Sequence, residues 1–201
     1  MTQGYQQPAG KLIYYSRANG NVSDPIWSRT PTGPAGPANF IPRASMVVQT
    51  GHESTAQAIA GAIHAALEWN APFDGGARAV QEWLRWTSPL VRFSRVATRD
   101  IVLAGVSVRE GTRLAIVFPV VNRDPRVFEE PSVLRLDRAP NPHLAFGAGP
   151  HACAGARTAR AQLAAVMQAL SEGPRPALAG APTRLVSSVT RGFTRVPLRF
   201  G

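Results

Sequence analysis

The stretch Phe146–Gly155, which reads FGAGPHACAG, constrains the fold of this chain more than any other segment. It contains Cys153, the only cysteine in the sequence, framed by three glycines. Glycine lacks a Cβ and adopts positive φ freely, so such a loop lets backbone approach a flat ligand closely. A helical, Ala-rich pattern follows, and the positive end of a helix dipole with its free N–H groups favours a thiolate. The stretch therefore predicts a presented thiolate, and backbone hydrogen bonds to such a sulfur can tune a metal–sulfur bond.

A lone cysteine also has other interpretations. A single Cys is commonly a small buried hydrophobic side chain. Structural zinc requires four ligands, and no second cysteine is present to supply them. A nucleophilic Cys153 would need a positioned base, for which His151 is the adjacent candidate. The pattern of the whole loop, rather than the cysteine alone, decides between these possibilities.

The loop resembles the haem-ligand loop of the cytochrome P450 family, F-G-x-G-x-H-x-C-x-G. The matching positions are Phe146, Gly147, Gly149, His151, Cys153 and Gly155. In that family the cysteine thiolate is the axial ligand of haem iron and favours O–O cleavage. The resemblance therefore implies haem b as the cofactor and Cys153 as its metal ligand.

A long, mostly apolar helical pattern runs from Ala44 to Trp69 and is interrupted by the polar string TGHEST at 50–55. A glycine followed by polar residues inside a buried helix favours a kink or an inserted water, although a solvent-facing polar side is an equal alternative. The string resembles the oxygen-binding helix of the same family, (A/G)-G-x-(D/E)-T. Gly51 then matches the position where the backbone opens over the haem. Glu53 and Ser54 match the acid and the alcohol of a proton relay, with Ser in place of the usual Thr.

Glu82 and Arg85 lie one turn apart in a helix predicted over 77–86. Such a pair is usually a surface ion pair that contributes little stability. Its position in the chain instead resembles the structural E-x-x-R helix of the family. The family's third member, an Arg in P-x-R-F, is replaced here by Val133, and Arg138 is the expected substitute. The connection before this helix is short, which suggests that one connecting helix has been lost.

Alternation over 92–99 predicts a strand, 101–108 a hairpin turning at Ala104-Gly105, and 113–121 a further strand. We expect a helix over 156–170 and closing strands over 183–189 and 195–200. Within this resemblance, Arg95 and His151 match the two positions that contact haem propionates. An Arg fork suits a carboxylate, since it can bond both oxygens.

The net charge of +10 comes almost entirely from arginine, since Lys11 is the only lysine. The arginines form no run, which argues against nucleic acid as a partner and allows a docking surface for an acidic electron donor. Sequence patterns show no membrane span and no signal-peptide core. We therefore expect a cytoplasmic location, a ferredoxin-type electron donor and a small apolar substrate.

The expected fold class is mainly α with small β-sheets (α+β), a cytochrome P450-like fold lacking its N-terminal half. The expected division is an irregular Pro- and Gly-rich lead-in over 1–43 and a haem-binding domain over 44–201. The resemblance implies a haem-thiolate monooxygenase or a truncated descendant of one. Two alternatives stay open: a catalytically silent haem-binding or partner-recruiting module, and a fragment that needs a complementing chain or self-association.

Overall fold

The computed structural model describes the backbone of residues 2–6, 12–16 and 37–201, and the side chains of 51–149 and 151–201. Four helices and ten strands lie in these ranges. The helices are α1 (Pro37–Glu68), α2 (Ala77–Thr87), α3 (Phe118–Val121) and α4 (Ala156–Glu172). The strands are β1 (Thr2–Gln6), β2 (Leu12–Ser16), β3 (Arg92–Val96), β4 (Ile101–Leu103), β5 (Val106–Val108), β6 (Arg113–Val117), β7 (Ala177–Leu178), β8 (Thr183–Arg184), β9 (Phe193–Arg195) and β10 (Leu198–Arg199).

The hydrophobic core lies where α1, α2 and α4 meet. Alanines on the second half of α1, including Ala62 and Ala66, are fully buried and allow the neighbouring helices to approach closely. Trp83 of α2 fills the centre, and Leu163 and Met167 of α4 close the other side. Burial of side chains of this size contributes about 1.5–3 kcal/mol each, so this three-helix contact is the main source of stability.

The largest sheet has the order β1-β2-β6-β3, and all of its neighbouring strands are antiparallel. Three two-stranded ribbons accompany it, β4–β5, β7–β10 and β8–β9. The mainly helical architecture with small sheets is the predicted fold class.

Most predicted elements after residue 76 are present. The helices α2 and α4 agree with the sequence patterns, and the hairpin of β4 and β5 turns at Ala104-Gly105. Both turn residues have positive φ, 51° and 83°, which matches the right-handed twist of the flanking strands. Local turn and helix signals were sufficient for these elements.

Other predicted bounds were wrong. The strand expected over 113–121 ends at Val117 and continues as α3, because Pro119 has no N–H for a sheet and its fixed φ suits a first helical turn. The strand expected over 183–189 is confined to Thr183–Arg184. Of the strand expected over 195–200, Arg195 is the last residue of β9 and only Leu198–Arg199 forms β10, because Pro197 between them also lacks an N–H.

The expectation for the N-terminal part also needs correction where the structure describes it. The long helix begins at Pro37 rather than Ala44, because proline at a first helical position loses no hydrogen bond. It continues through Thr50–Thr55 without an assigned break. Within the region expected to be irregular, β1 and β2 form paired strands. Residues 17–36 lie outside the described residues, and the division at residue 43 stays a prediction.

Candidate active site

The loop that carries Cys153 is shaped by two glycines. Gly147 and Gly149 have φ of 67° and 74°, a region that other residues adopt at a cost. The Cys153 N–H donates to the Phe146 carbonyl at 2.9 Å, which closes the loop on itself. The Cys153 side chain is exposed, and α4 begins three residues later. The fold therefore presents a thiol at the surface, just before the start of a helix.

The surroundings of this thiol suit a flat group bound through sulfur. A Cβ added at Gly149 would meet no atom within 4 Å, so the loop backbone has open space beside it. In the described part of the chain, no cluster of three or more His, Cys, Asp or Glu side chains could hold a metal ion. A single soft thiolate with an open approach fits haem iron, whose remaining ligands are supplied by the porphyrin.

The residues expected to contact propionates are both exposed. Arg95 lies on β3, and its guanidinium donates to the Ser94 carbonyl at 2.9 Å. Within the described ranges no carboxylate pairs with Arg95. His151 ends the short 3-10 helix Gly149–His151 that precedes the cysteine. Both side chains are accessible to an anionic ligand, while their assignment to propionates stays a prediction.

Glu53 and Ser54 follow Gly51 on α1. The Thr190 hydroxyl donates to Glu53 Oε1 at 2.8 Å, which connects α1 to the loop between β8 and β9. Ser54 is half-buried, and a Cβ added at Gly51 would meet nothing within 4 Å. The acid is thus held by a neighbouring hydroxyl, while its part in proton transfer stays a prediction.

Glu82, Arg85 and Arg138 form a buried ionic network. Arg85 donates Nε and Nη2 to the two carboxylate oxygens of Glu82, both at 2.7 Å, and neither side chain is exposed. Arg138 Nε donates to Glu82 Oε2 at 3.1 Å, so the contact expected of Arg138 is present. Arg85 also donates to the carbonyls of Asn122 and Pro131 at 2.9 Å. The pair is therefore not a surface ion pair but a clamp on the segment before the cysteine loop.

Burial alone would raise the pKa of the Glu82 carboxyl. The hydrogen bonds and charges of Arg85, the Arg135 N–H and Arg138 outweigh it and lower that pKa. The carboxylate is therefore ionised in the folded protein, and its charge offsets part of the positive charge of the two arginines next to it.

Sequence reasoning missed the polar residues that connect this network to the loop. Asn122 is fully buried, donates to Ser88 Oγ at 2.9 Å and accepts the Leu144 N–H at 2.7 Å. His143 Nε2 lies 2.9 Å from Gln81 Oε1, and its Nδ1 accepts the Ala145 N–H at 3.2 Å. The pKa of His143 is lowered to about 4, mainly by burial and secondly by the charge of Arg160. A lone Asn after an apolar run was the only signal for Asn122 in the sequence.

The fold and the cysteine loop are similar to those of known cytochromes P450. Residues 77–170 match the family model described as Cytochrome P450. The chain is 34% identical over 163 residues to a methyl-branched lipid omega-hydroxylase of Mycobacterium tuberculosis, covering 76% of this chain and 38% of the relative. It is 38% identical over 117 residues to a biotin biosynthesis cytochrome P450 of Bacillus subtilis, covering 55% and 30%.

Among solved structures, P450 OxyD, involved in the biosynthesis of vancomycin-type antibiotics, aligns with a TM-score of 0.74 and 34% identity. The alignment covers 82% of this chain and 44% of that structure. The chain is thus a relative of the bacterial cytochromes P450 and has the fold of their C-terminal half. It spans well under half the length of the curated relatives that it matches. None of the helices in the described ranges is long and apolar enough to cross a membrane.

Proposed function

We propose that this chain is the haem-binding part of a cytochrome P450 monooxygenase, with Cys153 as the axial ligand of haem b. The observation that carries the proposal is the exposed Cys153 thiol in a loop set by two positive-φ glycines, immediately before α4. Haem supplies the oxygen-activating chemistry when bound. The names of two relatives, a methyl-branched lipid omega-hydroxylase and a steroid C26-monooxygenase, support this activity.

The residues of the chain would divide the work in the following way. Cys153 provides the ligand, and α4 begins three residues after it. The exposed donors for the propionates are Arg95 and His151. The surface on the cysteine side is shaped by the other loop residues, Phe146, Gly147, Gly149 and Gly155. Gly51 leaves room beside α1 for the opposite face. Glu53 and Ser54 hold and pass protons, with Glu53 anchored by Thr190.

The partners and location are also proposals. A ferredoxin-type protein would deliver electrons, and a small apolar molecule would be the substrate, oxidised in the cytoplasm. One similar structure, P450BioI, was solved in complex with a fatty-acid-ligated acyl carrier protein. A carrier-bound acyl chain is therefore a specific form that the apolar substrate could take. Because the chain matches well under half the length of its relatives, two alternatives stay open. In one, the chain needs a complementing chain or self-association; in the other, it is a catalytically silent haem protein.

The test of the proposal is the axial ligand. Cys153→Ser should retain the fold, as seen by circular dichroism, while the ferrous–CO complex loses the red-shifted Soret band of thiolate ligation. Ala152→Ser, in the same loop, is the matched control and should keep that band. A Cys153→Ser protein that keeps the red-shifted band would show that another residue ligates the iron.

A further inference from the structure

A second site is indicated by a cavity of about 240 Å³ on the side of α1 that faces the β8–β9 ribbon. Its walls come from the second half of α1, the end of α2 and the residues around β9. None of its lining residues belongs to the cysteine loop or to the segment Gly51–Ser54. The lining includes His64, Glu68, Trp86, Arg123, Arg184 and Arg191.

The charge of this cavity is unbalanced. Arg123, Arg184 and Arg191 all line it, and within the described ranges none of the three pairs with a carboxylate. The only carboxylate of the lining is Glu68, which contacts His64 Nδ1 at 3.5 Å and is 57% exposed. Arg123 and Arg191 are partly buried, and partly buried cations without a counter-charge are costly, so the cavity favours an anion.

Arg123 has a buried side-chain nitrogen that lacks a hydrogen-bond partner among the described residues. Its Nη2 donates to the Trp86 carbonyl at 2.8 Å, but its buried Nη1 has no partner among the described residues. Burial, followed by the charge of Arg191, lowers the pKa of Arg123 to about 10. Burial, followed by the charge of Arg184, also lowers the pKa of Arg191. A buried, unbonded guanidinium N–H is rare in folded proteins and calls for a partner.

Aromatic rings hold two of the guanidinium groups in place. The Arg123 guanidinium lies 4.7 Å from the Trp86 ring centre, and that of Arg184 lies 4.2 Å from the Phe193 ring centre. Stacking of this kind fixes the plane of a guanidinium and leaves its N–H edges for an oxyanion. The donors of the cavity are therefore partly preorganised, which reduces the entropic cost of binding.

We propose that this cavity binds a small ligand that carries an oxyanion, a carboxylate or a phosphate group, held by Arg123 and Arg191 with Arg184 beside them. The cavity volume suits a ligand of the size of phosphate or a four-carbon dicarboxylate. Such a site would act in addition to the haem-thiolate chemistry and does not depend on it.

The experiment is isothermal titration calorimetry of the full chain at pH 7.5 and 0.15 M chloride, with sodium phosphate and disodium succinate as the probes. We expect saturable binding of one probe per chain for at least one of them. Tighter phosphate binding would assign a phosphoryl ligand, and tighter succinate binding a carboxylate ligand.

Three variants, all with one positive charge removed, locate the binding. Arg123→Gln and Arg191→Gln should each weaken it about tenfold or more, the effect of losing a charged hydrogen bond. Arg199→Gln, at an exposed position on β10, should leave it nearly unchanged. Arg123 also bonds Trp86, so Arg123→Gln could fail to fold. In that case the result for Arg191→Gln decides. The proposal is overturned if neither probe saturates, or if Arg199→Gln weakens binding as much as Arg191→Gln.

Discussion

Glu82 shows how much one buried carboxylate can support. It accepts hydrogen bonds from Arg85, Arg138, Asn141 and the Arg135 N–H, which fix the segment between α3 and the cysteine loop. Glu82 is fully buried, so its loss cannot be compensated by solvent. Its neighbours would become uncompensated buried cations.

Glu82→Gln should therefore lower the free energy of unfolding by about 3–5 kcal/mol, the cost of breaking a buried ion pair. Urea unfolding followed by circular dichroism measures this change. Glu129→Gln is the control, because the Glu129 side chain is 84% exposed and, among the described residues, its carboxylate pairs only with Arg135, at 3.6 Å, so the unfolding midpoint should hardly move. Equal effects of the two substitutions would show that the Glu82 network is not an important source of stability.

Ser54 is the residue on which the proposed proton delivery can be tested. Ser54→Ala should leave haem content unchanged and divert electrons into hydrogen peroxide, since losing a relay group slows an acid–base step about a hundredfold. The measurement is peroxide released per electron consumed by the haem-loaded chain with a ferredoxin and its reductase. Thr55→Val, which removes the neighbouring hydroxyl, should have little effect. Unchanged peroxide release in Ser54→Ala would remove Ser54 from the relay.

At the scale of an element, the cysteine loop depends on backbone conformation rather than on packing. A Cβ added at Gly149 would contact no neighbouring atom. Its only cost would be the backbone strain of a φ of 74°. Gly149→Ala should cost about 1–2 kcal/mol by this strain and weaken haem retention accordingly. Thermal unfolding and haem transfer to excess apomyoglobin measure the two effects.

Gly155 supplies the matched control in the same loop. Its φ is −85°, and an added Cβ would lie 3.9 Å from Cys153 Sγ, an ordinary contact. Gly155→Ala should therefore be neutral or slightly stabilising, because it restricts only the unfolded chain. If both alanine variants lose equal stability, the left-handed backbone at Gly149 is not the cause.

The comparison of sequence and structure is also clearest at the level of elements. The helices α2 and α4 and the β4–β5 hairpin follow from local signals, namely apolar spacing and turn residues. The end of β6 depends on Pro119, which the alternation of its neighbours concealed. The network of Glu82, Arg138 and Asn122 joins residues 34 to 56 positions apart, so spacing alone could not show that it is buried. The resemblance, rather than the periodicity, led to Arg138.

For the whole molecule, the free energy of unfolding in acid should depend on His143, a partly buried histidine. His143 has an ordinary pKa of 6.5 when unfolded and about 4 when folded, so between these values the unfolded chain binds more protons. Protonation would also remove the acceptor that Nδ1 offers to the Ala145 N–H. We expect the free energy of unfolding to be unaffected by His143 above pH 6.5 and to fall by about 2–3 kcal/mol towards pH 4.5.

Urea unfolding at several pH values, compared with His143→Gln, tests this expectation. The variant should show a flatter pH dependence between 6.5 and 4.5, whatever its stability at pH 7. Some slope should remain, because burial also lowers the pKa of His64 and acts with the same sign. Glu82 stabilises above its own lowered folded pKa, so its contribution is lost only at more acidic pH. Identical slopes for the two proteins would contradict the assignment to His143.

The position of β6 in its sheet has a kinetic consequence. It pairs on one side with β3, about 20 residues earlier in the chain, and on the other with β2, about 100 residues earlier. The entropic cost of closing a loop rises with its length, by about 0.6 kcal/mol for each doubling. The β3–β6 ribbon can therefore form early and act as a template, while the β1–β2 ribbon is added in a late, slower step of assembly.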